Sequence, residues 1–410
     1  MYEVAVIGAG IIGVSVAREL ASCGMSVVLI DKNGPGTGTS RTGFAIEVSR
    51  AKTPYDYFAL SRRATKLHEI WAARAGGASW VRRAPLIQLR GNSSEQHRTF
   101  YDGRRRRLEE WGLNTEIIPV DELGELGSGL DLSAYRGQDA WVDMASWFDV
   151  RQYISANLHM LRNGKVTLRS STRVQALERG SSGSRWTVVT DSDRIAVNWV
   201  VNCAGPDAGA VGALADVKVP ILKIPGMIGN TNSNFTPIGL ISSLLQPHAS
   251  LRPHTGGHLA IHAHDMDARI PTDADESYVV PEQDVMDLCA NFAELLPCLD
   301  PARGGHRQMD VFACIRPVPV DGYPLLGEST SQPGYVVAAS HSGITLAPLL
   351  GTITAHHIVG RTADSALVEQ FHFERTASPF GMSDDESMAE MVKTYERIRG
   401  HAVAAGQNTH

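Results

Sequence analysis

The sequence predicts an α/β protein built on a Rossmann-like unit at its N-terminus. Residues 4–31 have the order of strand, glycine-rich turn, helix, strand and acid. Strand and helix patterns alternate again after residue 310 and over residues 145–218, where Ile195–Asn202 reads as one apolar strand. Residues 219–308 instead have the pattern of antiparallel strands with one helix, predicted over 282–296. We therefore expect a largely parallel sheet and a second, antiparallel-rich region in the same chain.

The N-terminal turn has the spacing of a dinucleotide-binding motif. Gly8, Gly10 and Gly13 form G-x-G-x-x-G between the first strand and the first helix, and Asp31 ends the second strand. Gly8 permits the tight turn, Gly10 lets a pyrophosphate approach the backbone, and Gly13 lets helix and strand pack closely. The helix N-terminus offers N–H groups to phosphates, and Asp31 can accept hydrogen bonds from a ribose. These features together predict a bound dinucleotide.

The segment after Asp31, GPGTGTSRTGFAIEVSR, is rich in Gly, Ser and Thr. Its amides and hydroxyls could wrap a second polar part of a dinucleotide, and Arg41 adds a charge suited to pyrophosphate. A flexible linker is the alternative. The position directly after the ribose-binding acid favours cofactor binding.

Composition narrows the class of protein. A length of 410 residues exceeds one typical core, so two domains, or one elaborated by another, are expected. A net charge of -6 offers no basic surface for nucleic acid or an anionic membrane. Five cysteines without a C-x-x-C pair indicate a reducing compartment. The early first strand leaves no room for a signal peptide, and no apolar segment reaches about eighteen residues, so we expect a cytoplasmic protein without a membrane span. A monomer and a homo-oligomer both remain open.

Five motifs occur in order along the chain: VIGAGIIG with Asp31, GTSRTG, VVNCAGP, CIRPVPVDGYPLLG and YVVAASHSGITLAP. On these motifs, residues 2–376 resemble the FAD-dependent amine and amino-acid oxidases, the family of D-amino-acid, glycine and sarcosine oxidases. The resemblance implies a Rossmann-like FAD-binding domain interleaved with an α+β substrate domain whose large antiparallel sheet covers the flavin. The implied segments are 1–78, 145–218 and 310–376 for FAD, 79–144 and 219–309 for substrate, and 377–410 for a C-terminal helical extension.

The resemblance also implies a set of cofactor contacts in and beside these motifs. The expected residues are Gly8, Gly10, Ile11, Ile12, Gly13, Asp31, Lys32, Thr39, Ser40, Arg41, Thr42, Gly43, Val174, Cys203, Ala204, Gly205, Cys314, Arg316, His341, Ser342, Gly343, Ile344 and Thr345. Two positions depart from the family pattern. Asp31 stands where Glu is usual, and the segment before the last helix is shortened to His341–Thr345. The N-terminus of that helix is implied to stabilise negative charge at the flavin N1–C2=O edge.

The family's reaction is oxidation of an amine C–N bond to an imine by hydride transfer to flavin N5, with hydrogen peroxide formed when oxygen reoxidises the flavin. Arg316 lies where many amino-acid oxidases place the arginine that binds the substrate carboxylate, and its alternative is a structural ion pair. Cys314, seven residues before Asp321, matches the cysteine that sarcosine oxidases bond to the flavin 8α-methyl. A buried, noncovalent cysteine is the alternative.

A histidine-rich segment precedes the last α/β part, with His248, His254, His258, His262 and His264. Strand alternation places His258, His262 and His264 on one face, which by the resemblance could line the substrate cavity. An exposed strand face is the second interpretation, and no metal site is expected because no Cys or acid completes an obvious one. Sarcosine oxidases carry an oxygen-activating lysine where this chain has Ala260, so a histidine or Lys223 would have to supply the charge.

Three other functions stay open at this stage. The same fold could pass electrons to a quinone or a partner protein, or could oxidise a 2-hydroxy acid. A nicotinamide-dependent enzyme would need a second glycine motif or a redox cysteine pair, which the sequence lacks. A catalytically silent flavoprotein subunit is the third.

Overall fold

The computed structural model describes residues 2–76, 80–89, 95–161, 164–180, 183–232, 234, 239–243, 249–275 and 277–375. The predicted C-terminal extension (377–410) and His248 lie outside these residues. Within the described part of the chain, no helix has both the length and the apolar character needed to cross a membrane.

The strands are distributed over the whole described chain. In order they are β1 (Val4–Ile7), β2 (Val27–Ile30), β3 (Val81–Leu89), β4 (Glu116–Pro119), β5 (Asp139–Phe148), β6 (Val166–Arg169), β7 (Val174–Arg179), β8 (Trp186–Thr190), β9 (Arg194–Val197), β10 (Trp199–Asn202), β11 (Ile221–Thr231), β12 (Leu240–Ser243), β13 (Ala249–Pro253), β14 (Leu259–Ala263), β15 (Met309–Pro319), β16 (Leu325–Glu328) and β17 (Tyr335–Ala339).

The α-helices connect and cover the sheets. In order they are α1 (Ile11–Ser22), α2 (Thr39–Thr42), α3 (Tyr55–Arg74), α4 (Glu95–Glu110), α5 (Val150–Met160), α6 (Ala208–Ala213), α7 (Glu282–Ala290), α8 (Gly343–Ile358) and α9 (Ser365–Gln370).

A six-stranded sheet has the order β16-β17-β10-β1-β2-β6, and its strands are parallel except for β16. Its central strands are apolar on both faces because both faces are covered. Val4 and Val6 of β1 pack in one core with α1 and α8, whereas Ala5 and Ile7 pack in another with the three-stranded sheet β7-β8-β9. Gly351 lets α8 approach α1, since a Cβ there would lie 2.7 Å from the Ser15 backbone.

An eight-stranded sheet has the order β15-β11-β14-β13-β12-β3-β5-β4, with β12 and β3 as its parallel pair and antiparallel pairing elsewhere. The Rossmann-like sheet and this large antiparallel sheet confirm the predicted fold class. β15 and the end of β5 pair in the eight-stranded sheet, although the sequence grouped residues 310–319 and 145–148 with the FAD segments. The division into domains itself stays a prediction.

Two predicted elements differ from the structure. The apolar segment Ile195–Asn202, predicted as one strand, divides at Asn198 into β9 and β10, which belong to different sheets. The backbone N–H groups of Asn198 and Trp199 both donate to the Glu3 carbonyl, and this marks the change of sheet. The helix predicted over 282–296 ends at Ala290, and Leu296 has a non-helical backbone before a short 3-10 helix that begins at Pro297.

Candidate active site

A cavity of about 580 Å³ lies between the two large sheets. One wall is formed by the loops after β1, β2, β10 and β17, at the carboxyl ends of the parallel strands, where open α/β sheets bind ligands. The opposite wall is the face of the eight-stranded sheet, with residues from β3 and from β11 to β15. The cavity therefore connects the predicted dinucleotide turn to the predicted substrate sheet.

The glycine turn is held by close backbone contacts. Gly8 has φ of 100°, and a Cβ there would lie 2.4 Å from the Cys203 carbonyl oxygen. A Cβ on Gly13 would lie 1.8 Å from the Gly8 carbonyl oxygen, so Gly13 packs the helix on the turn rather than lining the cavity. The N–H of Ile11 donates to the Ser40 hydroxyl over 3.0 Å, which joins the turn to α2.

Asp31 lines the cavity and is also bonded to the surrounding backbone. Its carboxylate accepts from the N–H of Ala9 at 2.7 Å, of Asn33 at 2.9 Å and of Gly34 at 2.8 Å. The shorter side chain of Asp, compared with the Glu usual in the family, thus fastens the turn after β1 to the turn after β2. Any ribose contact would be additional to these three bonds.

The N-terminus of α8 forms another part of the cavity wall. His68 of α3 receives the Trp80 indole N–H on Nδ1 at 3.2 Å, so its Nε2 carries the proton and donates to the Ile344 carbonyl at 2.9 Å. Burial lowers the pKa of His68 to about 4, which keeps this link neutral. The helix start is therefore held by a hydrogen bond from the buried His68 side chain.

Two polar atoms beside this helix start point to a bound polar group. Within the described residues, the hydroxyl of Ser340 and the Nδ1 of His341 are buried without a hydrogen-bond partner, and both residues line the cavity. Buried polar groups are normally satisfied by protein, water or ligand. Burial, followed by the nearby Lys52 charge, lowers the pKa of His341 to about 3, so its imidazole is neutral.

Arg316 lines the cavity but is bound to an acid that the sequence did not single out. Its guanidinium donates to Asp267 at 2.7 Å and to the Pro225 carbonyl at 2.8 Å. Asp267 is only 2% exposed, and it also accepts from the N–H of Met227 at 2.8 Å. Burial alone would raise the pKa of Asp267, but the charges of Arg316 and His262 hold it well below its usual range. Arg316 therefore lines the cavity and also forms the structural ion pair that was the alternative to a substrate-binding role.

His262 and His264 also line the cavity. His262 lies with Nε2 3.2 Å from both Asp267 oxygens, and its ring centroid is 4.3 Å from that of His264. Possible ligand atoms of these three side chains lie within 4.8 Å of one another. The Asp267 oxygens already accept from the Arg316 guanidinium, the Met227 N–H and His262, so we interpret the group as hydrogen-bonded side chains. His258 precedes β14 and does not line the cavity, so the predicted histidine face is limited to the other two.

Lys52 is a cavity residue that the sequence did not identify. It is 8% exposed, and burial lowers its pKa to about 8, with Glu47 acting in the opposite direction. Glu47 also pairs with Arg50, whose guanidinium binds Asp143 at 2.7 Å. The only sequence signal was the position of these residues at the end of the polar segment after Asp31.

Cys314 and Thr42 meet at the cavity wall. Cys314 lines the cavity, is 2% exposed and forms a hydrogen bond with Thr42, while burial raises the pKa of its thiol. A covalent bond to a ligand would form from this position. The attachment itself stays a prediction.

Three predicted residues lie away from the cavity. Arg41 is exposed, with its guanidinium 5.5 Å from the Phe312 ring centroid. Val174 begins β7 and packs with the three-stranded sheet. Lys223 is 52% exposed and binds Asp207 at 2.5 Å, which corrects its expected place beside the reacting atoms. The Lys223 side chain is on the solvent-exposed side of β11, and for this reason it does not reach the cavity. The other predicted contacts line the cavity, except Gly13 and Thr42, which support it.

The fold and this cavity define a dinucleotide-binding protein. Residues 3–357 match the model of the DAO family, described as FAD dependent oxidoreductase. The chain belongs to this family and is an enzyme of the FAD-dependent oxidoreductase class, as its motifs predict.

Individual relatives agree with this assignment. The chain is 26% identical over 374 residues to the tRNA 5-methylaminomethyl-2-thiouridine biosynthesis bifunctional protein MnmC of Thiobacillus denitrificans, covering 88% of this chain and 56% of that protein. It is 23% identical over 392 residues to the glycine oxidase of Bacillus licheniformis, covering 91% of this chain and 97% of that enzyme. The crystal structure of glycine oxidase from Geobacillus kaustophilus shares the fold, with a TM-score of 0.77, 21% identity, and coverage of 92% and 99%.

The cavity residues fit FAD. The glycine turn and Asp31 suit its ADP part, whereas the unpartnered atoms of Ser340 and His341 and the start of α8 suit the polar edge of its ring system. Both parts lie in one continuous cavity, as a dinucleotide requires.

Proposed function

We propose that this enzyme oxidises the C–N bond of an amine or amino-acid-like substrate to an imine, with oxygen as the electron acceptor and hydrogen peroxide as the second product. The observation that carries the proposal is the single cavity. It joins the dinucleotide turn to two cations, the buried Lys52 and the half-buried Arg316, beside two histidines. The glycine oxidase relatives support an amino-acid-like substrate.

The cavity residues of this chain would have different roles in the reaction, according to their positions. FAD, when bound, accepts the hydride and returns the electrons to the acceptor. Arg316 would bind the substrate carboxylate and hold the amine carbon in place, while Asp267 fixes the guanidinium from behind. The start of α8 would stabilise negative charge on the ring system.

Lys52 supports oxygen as the acceptor. Reduction of oxygen creates anionic species, and a buried cation stabilises these more strongly than a solvated one. With a pKa of about 8, Lys52 is charged at neutral pH. It would therefore take the role first assigned to Lys223 or a histidine, from a different element of the fold.

The test combines two assays on purified FAD-loaded enzyme. A panel of glycine, N-methylglycine, D-alanine and L-proline, with lactate as the 2-hydroxy acid, is mixed with enzyme under air, and peroxide is measured. The same panel is then used without oxygen, and bleaching of the flavin band is recorded. Peroxide formed with an amine supports the proposal. Bleaching without aerobic turnover contradicts oxygen as the acceptor and indicates a dehydrogenase, and bleaching by lactate alone contradicts an amine substrate.

The covalent attachment of FAD through Cys314 and the cytoplasmic location belong to the same proposal. Cys314 supports the first by lining the cavity directly beside Arg316.

A further inference from the structure

One buried carboxylate connects two parts of the cavity wall. Asp267 lies in the turn after β14, yet it binds Arg316 of β15 at 2.7 Å and the Met227 N–H of β11 at 2.8 Å. Gly226 makes room for this contact, because a Cβ there would lie 2.4 Å from the Arg316 guanidinium and 2.8 Å from the Asp267 carboxylate. The local sequence is thus adapted to bring this acid to the cavity wall.

The same carboxylate sets the proton of His262. A carboxylate in the charged form only accepts hydrogen bonds, so the Nε2 that faces both oxygens at 3.2 Å carries the proton. The imidazole is held with its ring 4.3 Å from His264, which is exposed to the cavity. A buried acid, a buried histidine and an accessible histidine therefore follow one another towards the site.

The charged and titratable groups around this pair come from several elements. Asp267 acts from the turn after β14, Arg316 from β15 and His341 from the loop before α8, and Lys52 faces His341 from the segment before α3. Arg316 and Lys52 disfavour a second positive charge nearby, whereas Asp267 favours one on His264. The Asp267 carboxylate, which interacts with His264, can offset protonation there.

We propose that His264 accepts the ammonium proton of the amine substrate, and that Asp267 is a positioning residue that holds His262 against it. The proposal rests on the proposed function, because hydride leaves the carbon of an amine only when the nitrogen has its lone pair. The ammonium N–H bond breaks, its electron pair stays on nitrogen, and a new N–H bond forms on the His264 imidazole. No electrons are transferred in this step, and the proton leaves through the solvent that reaches His264.

The first experiment measures the pH dependence of anaerobic flavin reduction, with glycine and N-methylglycine as probes. In the native enzyme, the reduction rate should fall below about pH 6.5, the usual pKa of histidine. In His264→Asn this acid limb should disappear, and the rate should instead rise tenfold per pH unit towards the ammonium's own pKa, near 10, which leaves it about 1000-fold below its limiting value at pH 7. His258→Asn is the matched control, because His258 lies beside the same strand outside the cavity, and it should keep the native profile.

The second experiment measures the protonation itself, independently of turnover. NMR of histidine-labelled protein gives the pKa of His264, whose signal is assigned by its loss in His264→Asn. In Asp267→Asn the pKa should fall by about one unit, and the acid limb of flavin reduction should move with it. Asp267→Glu should restore both values in part. If Asp267→Asn does not fold, the His264→Asn profile still decides the proposal.

The outcomes separate this proposal from the proposed function. Flavin reduction by the amines with an unchanged acid limb in His264→Asn overturns the proton acceptor and leaves amine oxidation intact. An unmoved His264 pKa in Asp267→Asn overturns the role of Asp267. If neither amine nor any other member of the panel reduces the flavin at any pH, the proposed function fails first.

Discussion

Replacing Lys52 with methionine should slow the reaction of the reduced enzyme with oxygen and leave flavin reduction by substrate largely unchanged. Methionine keeps much of the length and the apolar stem while removing the charge. Lys52 is 8% exposed, so bulk water contributes little to stabilising anionic oxygen species at this position. Loss of a single preorganised electrostatic group costs about 10²–10³ in rate in other enzymes. We expect a loss of about 100-fold in the oxygen reaction.

The native pH dependence provides a second measure of the same charge. A pKa of about 8 leaves Lys52 about nine-tenths charged at pH 7 and about one-tenth charged at pH 9. The oxygen reaction of the native enzyme should therefore fall by about tenfold between these pH values, and that of Lys52→Met should be flat. Lys52→Arg should keep the rate at high pH, because arginine stays charged.

Stopped-flow mixing of photoreduced enzyme with oxygenated buffer measures this step directly. Lys223→Met is the matched control, because Lys223 is bound to Asp207 and does not line the cavity. It should react with oxygen at the native rate. A native rate and pH profile in Lys52→Met, or a slow reaction in Lys223→Met, would refute the assignment of the charge to Lys52.

Three further variants test other parts of the site. If FAD is attached to Cys314, it precipitates with acid-denatured native protein and is released from Cys314→Ser; FAD in the native supernatant contradicts the attachment. Arg316→Ala should lower the free energy of unfolding by about 3–5 kcal/mol, since the 2%-exposed Asp267 loses its charged partner, and Arg316→Leu with Asp267→Leu should regain most of this loss in thermal denaturation; equal destabilisation of both variants argues against the ion pair. Asp31→Ala should loosen FAD in equilibrium dialysis, because three backbone N–H groups lose their acceptor, and unchanged retention would show that the turn holds without it.

The sequence predicted those parts of the fold that depend on local pattern. The turn from Gly8 to Gly13 needs glycine at each contact, so its spacing alone identified both the motif and the close packing now seen. The buried strands β1, β2 and β17 are continuous apolar segments bounded by polar ones. The division of residues 195–202 was missed because both strands are apolar and only the bonds to Glu3 separate them.

The site was less predictable because its partners are distant in sequence. Arg316 could be recognised from its segment, but Asp267 stands among several acids in HDMDARIPTDADE with no pattern to distinguish it. In the sequence Lys52 looks like an ordinary loop lysine, and its burial arises only in the fold, where it lies against Tyr57 of α3 and near His341 before α8. The alternation of side chains along β14 also could not distinguish cavity residues from hydrophobic-core residues, because both faces of this strand are buried.

The central claim is that one cavity holds FAD and an amine together. Its most direct test is an anaerobic titration of the purified holoenzyme with the amine panel at pH 8, recorded as the flavin absorption spectrum. We predict a flavin spectrum that is bleached stoichiometrically by at least one amine and restored by oxygen with one peroxide per flavin. A purified protein that contains no FAD and does not bind added FAD would contradict the claim. A bound flavin that no amine bleaches would also contradict it.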